Sequence, residues 1–300
     1  MNNKLHYSVL LNETISQLKI KPNGIYVDLT LGMGGHSEAI LKKLSNGKLY
    51  CFDKDDFALK YAKNRLSQAG SNFELIKSDF QNIKSQLAQR GIAAVDGIIA
   101  DLGISSPQVD NSERGFSYNK NAKLDMRMDT SQALSAWNVV NQYSEQQLAQ
   151  ILWDYADVKL SKRVAKAIVE NRPIETTLEL VDVIKQAYPA KLIREKNPSK
   201  AIFQAIRIEV NNELESLKQM LIDAIDLLKH DSVLAIITFH SIEDKIVKNF
   251  FKNLIQDKTP AKLPIIIQKD YIAKQIYPSN EEIQQNKRSR SAKLRVLYKK

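Results

Sequence analysis

Residues 26–36 read Tyr-Val-Asp-Leu-Thr-Leu-Gly-Met-Gly-Gly-His, and residues 49–53 read Leu-Tyr-Cys-Phe-Asp. These two stretches predict a buried strand, a glycine-rich turn, a helix, and a second strand that ends in a carboxylate. This order of elements is typical of sheet proteins that bind a cofactor containing adenosine. The glycines allow a close approach of the backbone to a ligand. The carboxylate of Asp53 is suited to accept the hydroxyl groups of a ribose.

The motifs that the chain lacks narrow the choice of cofactor. A dinucleotide fingerprint requires Gly-x-Gly-x-x-Gly, but counted from Gly32 the third glycine position holds Ser37. No Gly-Lys-Ser or Gly-Lys-Thr follows a glycine-rich run, so a Walker loop is absent as well. S-adenosylmethionine, which has a ribose but no phosphate, fits the remaining pattern. A simpler alternative stays open, in which Gly34 and Gly35 only serve a tight turn between strand and helix.

Length and composition indicate a folded globular enzyme. The chain has 300 residues, of which 43% are hydrophobic and 26% are charged, so we expect one large domain with or without an insertion. The only cysteine, Cys51, excludes a disulfide within the chain and favours a reducing cytoplasm. Cysteine and histidine show no zinc-type spacing, so no metal is predicted. Neither a signal pattern nor an apolar run of about 18 residues is found, which predicts no membrane association.

The charge of the chain is positive and unevenly distributed. The net charge is +10, and the last twenty residues contain seven basic and two acidic side chains. Such a concentration of positive charge predicts a polyanionic partner, with nucleic acid as the favoured candidate. A solvated basic terminus without a partner is the alternative.

The pattern of apolar runs predicts an α/β sheet protein. Strands are expected at 25–29, 48–52, 73–77, 96–101 and 232–239, and helices at 37–44, 57–69, 81–90 and 242–255. The alternation of the first four strands with helices is typical of a parallel sheet covered on both faces. Candidate last strands at 264–268 and 294–298 complete seven strands, and residues 272–291 are expected to be irregular. The predicted class is a Rossmann-like, seven-stranded sheet.

An all-helical insertion is predicted within this sheet domain. Residues 105–205 contain no convincing strand, but Ser144-x-x-Gln147 and Thr176-x-x-Glu179 match the capping box that begins a helix. The sheet domain is therefore expected to comprise residues 1–104 and 206–300. A long helix with apolar residues every three or four positions from Ile206 to Leu228 is expected to pack on the sheet.

Polar motifs follow several predicted strands and are expected to meet at one edge of the sheet. They are Gly32 to His36, Asp53, Asp79 with Phe80, residues 101–108, and residues 240–244. Asp101 directly follows the fourth strand, in Asp-Leu-Gly-Ile-Ser-Ser-Pro-Gln. An aromatic amine is a weak nucleophile, and a carboxylate at this place is suited to accept its N–H during attack on a methyl group. The alternative is that Asp101 only caps a helix or a turn.

Two further groups of residues favour structural roles. Residues 239–244 read Phe-His-Ser-Ile-Glu-Asp, but no Gly-x-Ser-x-Gly elbow accompanies them, so a hydrolase triad is not favoured. Ser241 is instead predicted to cap a helix that has Asp244 at its third position. Trp137 and Trp153 lie in helical patterns and are expected in the core rather than in a base-stacking site.

Eight motifs resemble, in order along the whole chain, the MraW family of bacterial small-subunit ribosomal RNA methyltransferases. The motifs are Tyr-Ser-Val-Leu-Leu at 7–11, Gly-Met-Gly-Gly-His at 32–36, Asp-Leu-Gly-Ile-Ser-Ser-Pro-Gln-Val-Asp at 101–110, Glu-Arg-Gly-Phe-Ser at 113–117, Leu-Asp-Met-Arg-Met-Asp at 124–129, Phe-Gln-Ala-Ile-Arg-Ile-Glu-Val-Asn-Asn-Glu-Leu at 203–214, Phe-His-Ser-Ile-Glu-Asp at 239–244, and Arg-Ser-Ala-Lys-Leu-Arg at 290–295. The resemblance implies an S-adenosylmethionine methyltransferase with a helical insertion that recognises RNA. Its implied substrate is N4 of a cytidine in the decoding centre of 16S ribosomal RNA.

The resemblance also implies which residues bind the cofactor. The corresponding positions here are Gly34, Gly35, His36, Asp53, Phe80, Asp101 and Gln108. Asp101 is the candidate catalytic residue, and we expect direct in-line methyl transfer without a metal. Residues 200–204 read Lys-Ala-Ile-Phe-Gln where the family often has Arg-Thr-Phe-Gln. The expected partner is 16S ribosomal RNA or the small subunit, and a homodimer stays open. The alternatives are a nicotinamide-dependent oxidoreductase and a non-catalytic RNA-binding protein.

Overall fold

The computed structural model describes residues 8–256 and 270–300. Seven strands are present there: Ile25–Asp28 (β1), Lys48–Asp53 (β2), Phe73–Lys77 (β3), Val95–Asp101 (β4), Leu228–Thr238 (β5), Tyr271–Ile276 (β6) and Lys293–Lys299 (β7). The helices are Leu11–Leu18 (α1), Gly35–Leu41 (α2), Asp56–Ala69 (α3), Ile83–Ala88 (α4), Ser106–Asp110 (α5), Ala136–Gln142 (α6), Glu145–Ala156 (α7), Ser161–Glu170 (α8), Thr177–Ala187 (α9), Ala190–Glu195 (α10), Ser199–Asn211 (α11), Glu213–Leu227 (α12), Ser241–Ile255 (α13) and Asn280–Gln285 (α14).

The strands form one sheet in the order β3-β2-β1-β4-β5-β7-β6. The first five strands of this order are parallel, and β7 is antiparallel to both of its neighbours, β5 and β6. The predicted Rossmann-like α/β class is therefore confirmed. The strand order reverses between β1 and β4, and ligands of such sheets bind beyond the carboxyl ends of the strands at this point.

Each face of the sheet is covered by helices, as the apolar strand sequences require. Neighbouring residues point to opposite faces, so that Ile98 belongs to one buried cluster and Ile99 to the other. The first cluster includes side chains of α4, α12 and α13, and the second includes side chains of α1, α2 and α3. Within the described ranges, no helix is long and apolar enough to cross a membrane.

The chain divides into two compact units, Met1–Gly103 with Glu215–Lys300, and Ile104–Leu214. The second unit is helical, and an isolated β-bridge joins Lys123 and Thr176. Its own buried core gathers side chains from α6, α7, α8, α9 and α11. Both predicted capping boxes are confirmed: the side chains of Ser144 and Thr176 accept from the backbone N–H of Gln147 and Glu179, respectively.

The expected core position of Trp153 is wrong. This side chain is 53% exposed on α7, because the buried side of that helix is formed by Leu148, Ile151 and Leu152. Trp137 is half-buried, and its indole N–H donates to Glu175 at 3.0 Å.

The single long helix predicted before the fifth strand is also wrong. Asn212 adopts a left-handed conformation, with φ of 51°, and separates α11 from α12. The preceding Asn211 is buried, where its side chain accepts from the N–H of Met128 and donates to the carbonyl of Met126. These tertiary hydrogen bonds fix the end of α11. The following strand, β5, begins at Leu228, four residues before the predicted start at 232.

The segment predicted to be irregular, residues 272–291, contains ordered elements. It holds most of β6, all of α14, and a 3-10 turn at Lys287–Ser291. The Ser279 side chain accepts from the N–H of Glu282 and so caps the N-terminus of α14. The last predicted strand is confirmed as β7, whereas the predicted strand at 264–268 lies outside the described residues.

Candidate active site

The glycine loop follows β1 and is held by hydrogen bonds to β2. Leu31 donates its N–H to the carbonyl of Phe52, and Gly32 donates its N–H to Oδ2 of Asp53 at 2.8 Å. Gly32 and Gly34 have positive φ angles of 50° and 76°, which favour glycine. The loop therefore depends on both its glycines and the carboxylate at the end of β2.

The three glycines of the loop differ in what surrounds them. A Cβ added to Gly35 would lie 1.9 Å from Oγ of Ser8, and one added to Gly34 would lie 3.3 Å from Cβ of Ala62. At Gly32 the nearest atom is a backbone oxygen 3.8 Å away. The simpler alternative thus has support at Gly34 and Gly35, which allow close packing within the chain. At Gly32 a Cβ would make only this ordinary contact, so packing within the chain does not require glycine there, and the half-buried backbone remains accessible to a ligand.

Asp28 is a buried carboxylate beneath the loop that the sequence analysis missed. Its Oδ2 accepts from the Ser37 hydroxyl at 2.6 Å, and its Oδ1 accepts from the Thr30 N–H at 3.1 Å. Burial raises the pKa of Asp28 to about 6, although both hydrogen bonds oppose the shift. Ser37, at the position of the third fingerprint glycine, therefore supports this carboxylate. The signal in the sequence was an aspartate inside an otherwise apolar strand.

Asp53 lies at the end of β2, as predicted, but both of its oxygens already accept backbone hydrogen bonds. Oδ1 accepts from the Asp55 N–H at 2.9 Å, and Oδ2 accepts from Gly32. Burial raises the pKa of Asp53 to about 6. Because a carboxylate oxygen has two lone pairs, capacity for a ligand hydroxyl remains. The ribose contact stays a prediction.

Asp101 lies at the end of β4, and its backbone N–H donates to Oγ1 of Thr30 at 2.5 Å. Its Oδ1 is buried and has no hydrogen-bond partner among residues 8–256 and 270–300. Its Oδ2 lies 3.8 Å from Nδ1 of His36, whose Nε2 is 3.1 Å from the carbonyl of Val9. Burial raises the pKa of the Asp101 carboxyl well above its usual range, and the nearby charges of Asp28, Glu243 and Glu282 act in the same direction.

Residues 239–244 begin α13 one position earlier than predicted. The N-cap is His240 rather than Ser241, and the capping partner is Glu243, whose Oε2 accepts from the N–H groups of Phe239 and His240. Asp244 does not cap the helix but forms ion pairs with Lys293 and Arg295 of β7 at 2.8 and 2.6 Å. These contacts join α13 to the sheet.

The two remaining predicted residues lie in different units. Phe80 is half-buried at the start of a 3-10 turn after β3, and the preceding Asp79 pairs with Lys54 at 3.0 Å. Gln108 belongs to the helical unit, where its side chain accepts from the Ser105 N–H at 2.9 Å. The sheet unit thus gathers the glycine loop, Asp53, Phe80 and Asp101 at one edge, and Gln108 is not part of that unit.

The chemical character of this edge is acidic and electrostatically uncompensated. No lysine or arginine in the described parts of the chain forms an ion pair with Asp28, Asp53 or Asp101, and all three have raised pKa values. Asp28 is buried, and Asp53 and Asp101 are half-buried. Carboxylates in this state favour a ligand that carries positive charge. Arg65 of α3 is directed elsewhere, because it donates to the carbonyl of Met33 and pairs with Glu38. Arg65 and Glu38, which hold the glycine loop in this way, could not be identified from any pattern in the sequence.

Comparison with known proteins places the whole chain in one family. The sequence profile of the MraW methylase family matches residues 3–300. A protein named ribosomal RNA small subunit methyltransferase H from Mycoplasmopsis agalactiae is 64% identical over 299 residues, which cover 100% of this chain and 99% of the relative. Proteins of the same name from Mycoplasmopsis synoviae and Clostridioides difficile are 58% and 51% identical, and each alignment covers 98% of both chains.

The matched range, residues 3–300, extends over both units and so spans the positions of the glycine loop, Asp53 and Asp101. Similarity over the full length at this level of identity is sufficient to assign the family of the chain. This chain belongs to the MraW methylase family.

Proposed function

We propose that this chain transfers a methyl group from S-adenosylmethionine to N4 of a cytidine in the decoding centre, at the P site, of 16S ribosomal RNA. The observation that carries the proposal is the buried Oδ1 of Asp101, which lacks a partner in the described structure and lies among carboxylates without a compensating cation. The names of the relatives support small-subunit ribosomal RNA as the substrate.

The methyl donor fits the charge of the site. S-adenosylmethionine carries a sulfonium and an ammonium group against one carboxylate, and when bound it supplies a methyl group that is already activated. The residues that would hold it are Gly34, Gly35, His36, Asp53, Phe80, Asp101 and Gln108, together with the accessible backbone at Gly32. Asp53 would orient the ribose, and the acidic edge would stabilise the positive charge.

Asp101 is the residue that would activate the amine. Burial raises the pKa of the Asp101 carboxyl, and a bound cation would lower that pKa and so favour the ionised acceptor. Oδ1 would then accept the N–H of the amine, which would make the nitrogen a better nucleophile towards the activated methyl group that the donor supplies. Direct transfer is favoured because Cys51, the only thiol, is buried and has a pKa well above its usual value.

RNA binding would involve both units. We assign recognition of the surrounding RNA to the helical unit Ile104–Leu214, and extrusion of the cytidine from its stack costs a few kcal/mol unless the RNA presents it unpaired. Part of the basic C-terminal segment is already used in the fold, because Lys293 and Arg295 pair with Asp244. Lys287 and Arg290 are exposed and are the candidates for phosphate contacts.

The test replaces Asp101 with alanine and with asparagine. Both variants should fold, as judged by thermal unfolding, and should lose transfer of labelled methyl to small-subunit RNA from cells that lack the enzyme. Asp226→Asn is the control, because Asp226 is an exposed carboxylate of α12 that pairs with Lys84 outside the candidate site. Full activity of the Asp101 variants would remove this residue from the mechanism.

Mass mapping of the product tests the position of the methyl group. A labelled methyl on N4 of one decoding-centre cytidine is expected, and a methyl on any other atom would contradict the proposal. Binding of the methyl donor but not of NAD would exclude the oxidoreductase alternative. RNA binding without a labelled product would favour the non-catalytic alternative.

A further inference from the structure

The helix α3 begins at Asp56, three residues after Asp53 at the candidate active site. It packs on the sheet through Ala58, Ala62 and Leu66, which are fully or nearly fully buried. Positions spaced three or four residues apart place another set of side chains together on the side away from the sheet. We call this set the aromatic face of α3; its members are Phe57, Lys60, Tyr61, Asn64 and Gln68, and all are exposed.

Two aromatic rings dominate the aromatic face. Phe57 is 53% exposed and Tyr61 is 48% exposed. Their ring centroids are 6.4 Å apart and the ring planes differ by 26°, so the rings are stacked. An exposed phenylalanine contributes little to folding, and a stacked pair of exposed aromatic rings is a platform that suits unpaired bases.

The charge of this face complements RNA. Lys60 lies between the two rings in sequence, and in residues 8–256 and 270–300 no carboxylate pairs with it. The only acidic residue of α3, Asp56, is paired with Lys77. A positive charge beside stacked aromatic rings is the usual composition of a surface that binds a single strand.

We propose that the aromatic face of α3 binds unpaired nucleotides that flank the methylated cytidine, by stacking on Phe57 and Tyr61. The inference rests on the proposed function for the identity of RNA as the substrate. The position supports it, because α3 begins at the sheet edge that holds Asp53, and a nucleotide delivered to that edge brings its neighbours along the same surface.

A second copy of the chain is the less favoured occupant. A stable dimer needs about 800 Å² from each partner, and two half-exposed rings supply only a small part of that area. A symmetric interface centred on this face would also place the Lys60 side chains of both copies close together.

The test compares Phe57→Leu/Tyr61→Leu with Phe57→Trp. Leucine preserves an apolar surface but cannot stack, whereas tryptophan stacks at least as well as phenylalanine. We expect the double leucine variant to raise the KM for small-subunit RNA, and the Kd for a short unpaired oligoribonucleotide, by about fivefold or more. Phe57→Trp should retain wild-type values. The matched control is Tyr277→Leu, which removes a 61% exposed aromatic ring elsewhere in the same unit.

Donor affinity and self-association are measured in parallel. Wild-type affinity for RNA in the double leucine variant overturns the inference, and so does an equal loss of affinity for S-adenosylmethionine, which would assign the face to the cofactor. Loss of a concentration-dependent dimer would assign it to a second copy and would also overturn it. If the wild type binds RNA and the variant does not, but the wild type methylates no cytidine, the proposed function fails, whereas the assignment of the aromatic face of α3 as an RNA-binding surface stands. If the wild type binds no RNA, both fail.

Discussion

Replacement of Asp28 by asparagine should change how the stability of the protein depends on pH. The substitution preserves the shape of the site, because the amide oxygen can accept from the Thr30 N–H and the amide N–H₂ can donate to Oγ of Ser37. It removes the only titration at this position. The wild-type carboxyl is buried and its pKa is raised from 3.8 to about 6.

The expected magnitude follows from this pKa. A carboxyl with a raised pKa in the folded state holds its proton more tightly there than in the unfolded state. Its contribution to stability is therefore full below about pH 3.8 and is lost as the pH rises through about 6. At about pH 5, one unit below the folded pKa, Asp28 still contributes about 1.4 kcal/mol, and at about pH 8 it contributes nothing. Between about pH 5 and pH 8 the wild type should therefore lose about 1.4 kcal/mol of unfolding free energy through this carboxyl, and Asp28→Asn should not show this loss.

The assay is denaturant unfolding of the wild type and Asp28→Asn at about pH 5 and pH 8. Asp96→Asn is the control. Burial alone would raise the pKa of Asp96, but hydrogen bonds from Lys229, Ile25 and Lys21 outweigh burial and lower it. Because the pKa of Asp96 is lowered, the stability that this carboxylate supplies is lost only at a pH more acidic than about 5. Asp96→Asn should therefore have a smaller free energy of unfolding than the wild type at both pH values, and the difference between about pH 5 and pH 8 should be the same as in the wild type. An unchanged difference in Asp28→Asn would refute the reasoning.

Three further outcomes are expected. Gly34→Ala and Gly91→Ala should each lower the free energy of unfolding by about 1–2 kcal/mol, because both glycines have positive φ. Gly91 lies outside the glycine loop, and a Cβ there has nothing within 4 Å, so only Gly34→Ala should also weaken donor binding. Equal donor affinities of the two variants, measured by calorimetry, would contradict this. Glu282→Ala should leave the buried Leu10 N–H without its acceptor, which lies at 2.7 Å, and should lower the free energy of unfolding by about 1–3 kcal/mol. Amide exchange at Leu10 should become faster. Unchanged exchange would show that Glu282 does not hold this N–H. Binding of the cationic donor near pH 6 should release protons, because its positive charge lowers the raised pKa values of Asp28 and Asp53. Calorimetry in two buffers of different ionisation enthalpy should therefore give two different binding enthalpies. The same binding enthalpy in both buffers would exclude proton release.

The parts of the fold that could be predicted from the sequence depend on local signals. The bounds of β3 match the prediction, and those of β2 differ by one residue, because apolar runs bounded by turns define these strands. The capping boxes of α7 and α9 were found from two residues each. The convergence of Gly32, Asp53 and Asp101 at one edge followed from the rule that parallel strands end on the same side.

The parts that could not be predicted depend on contacts between distant residues. The end of α11 is set by hydrogen bonds from Asn211 to a loop more than eighty residues earlier in the chain. Periodicity identified α7 as a helix but did not reveal that Trp153 faces away from its neighbours. The missing partner of Asp101 Oδ1 is a property of the assembled site, because it depends on which side chains surround the carboxyl.

The place of β7 in the sheet has a consequence for biosynthesis. This strand is the last element of the chain, yet it lies between β5 and β6 and pairs with both. Until Lys293–Lys299 has been synthesised, β6 lacks the described strand with which it pairs, and β5 keeps an open edge. The seven-stranded sheet is therefore completed only by the insertion of β7 between two strands that precede it in the sequence.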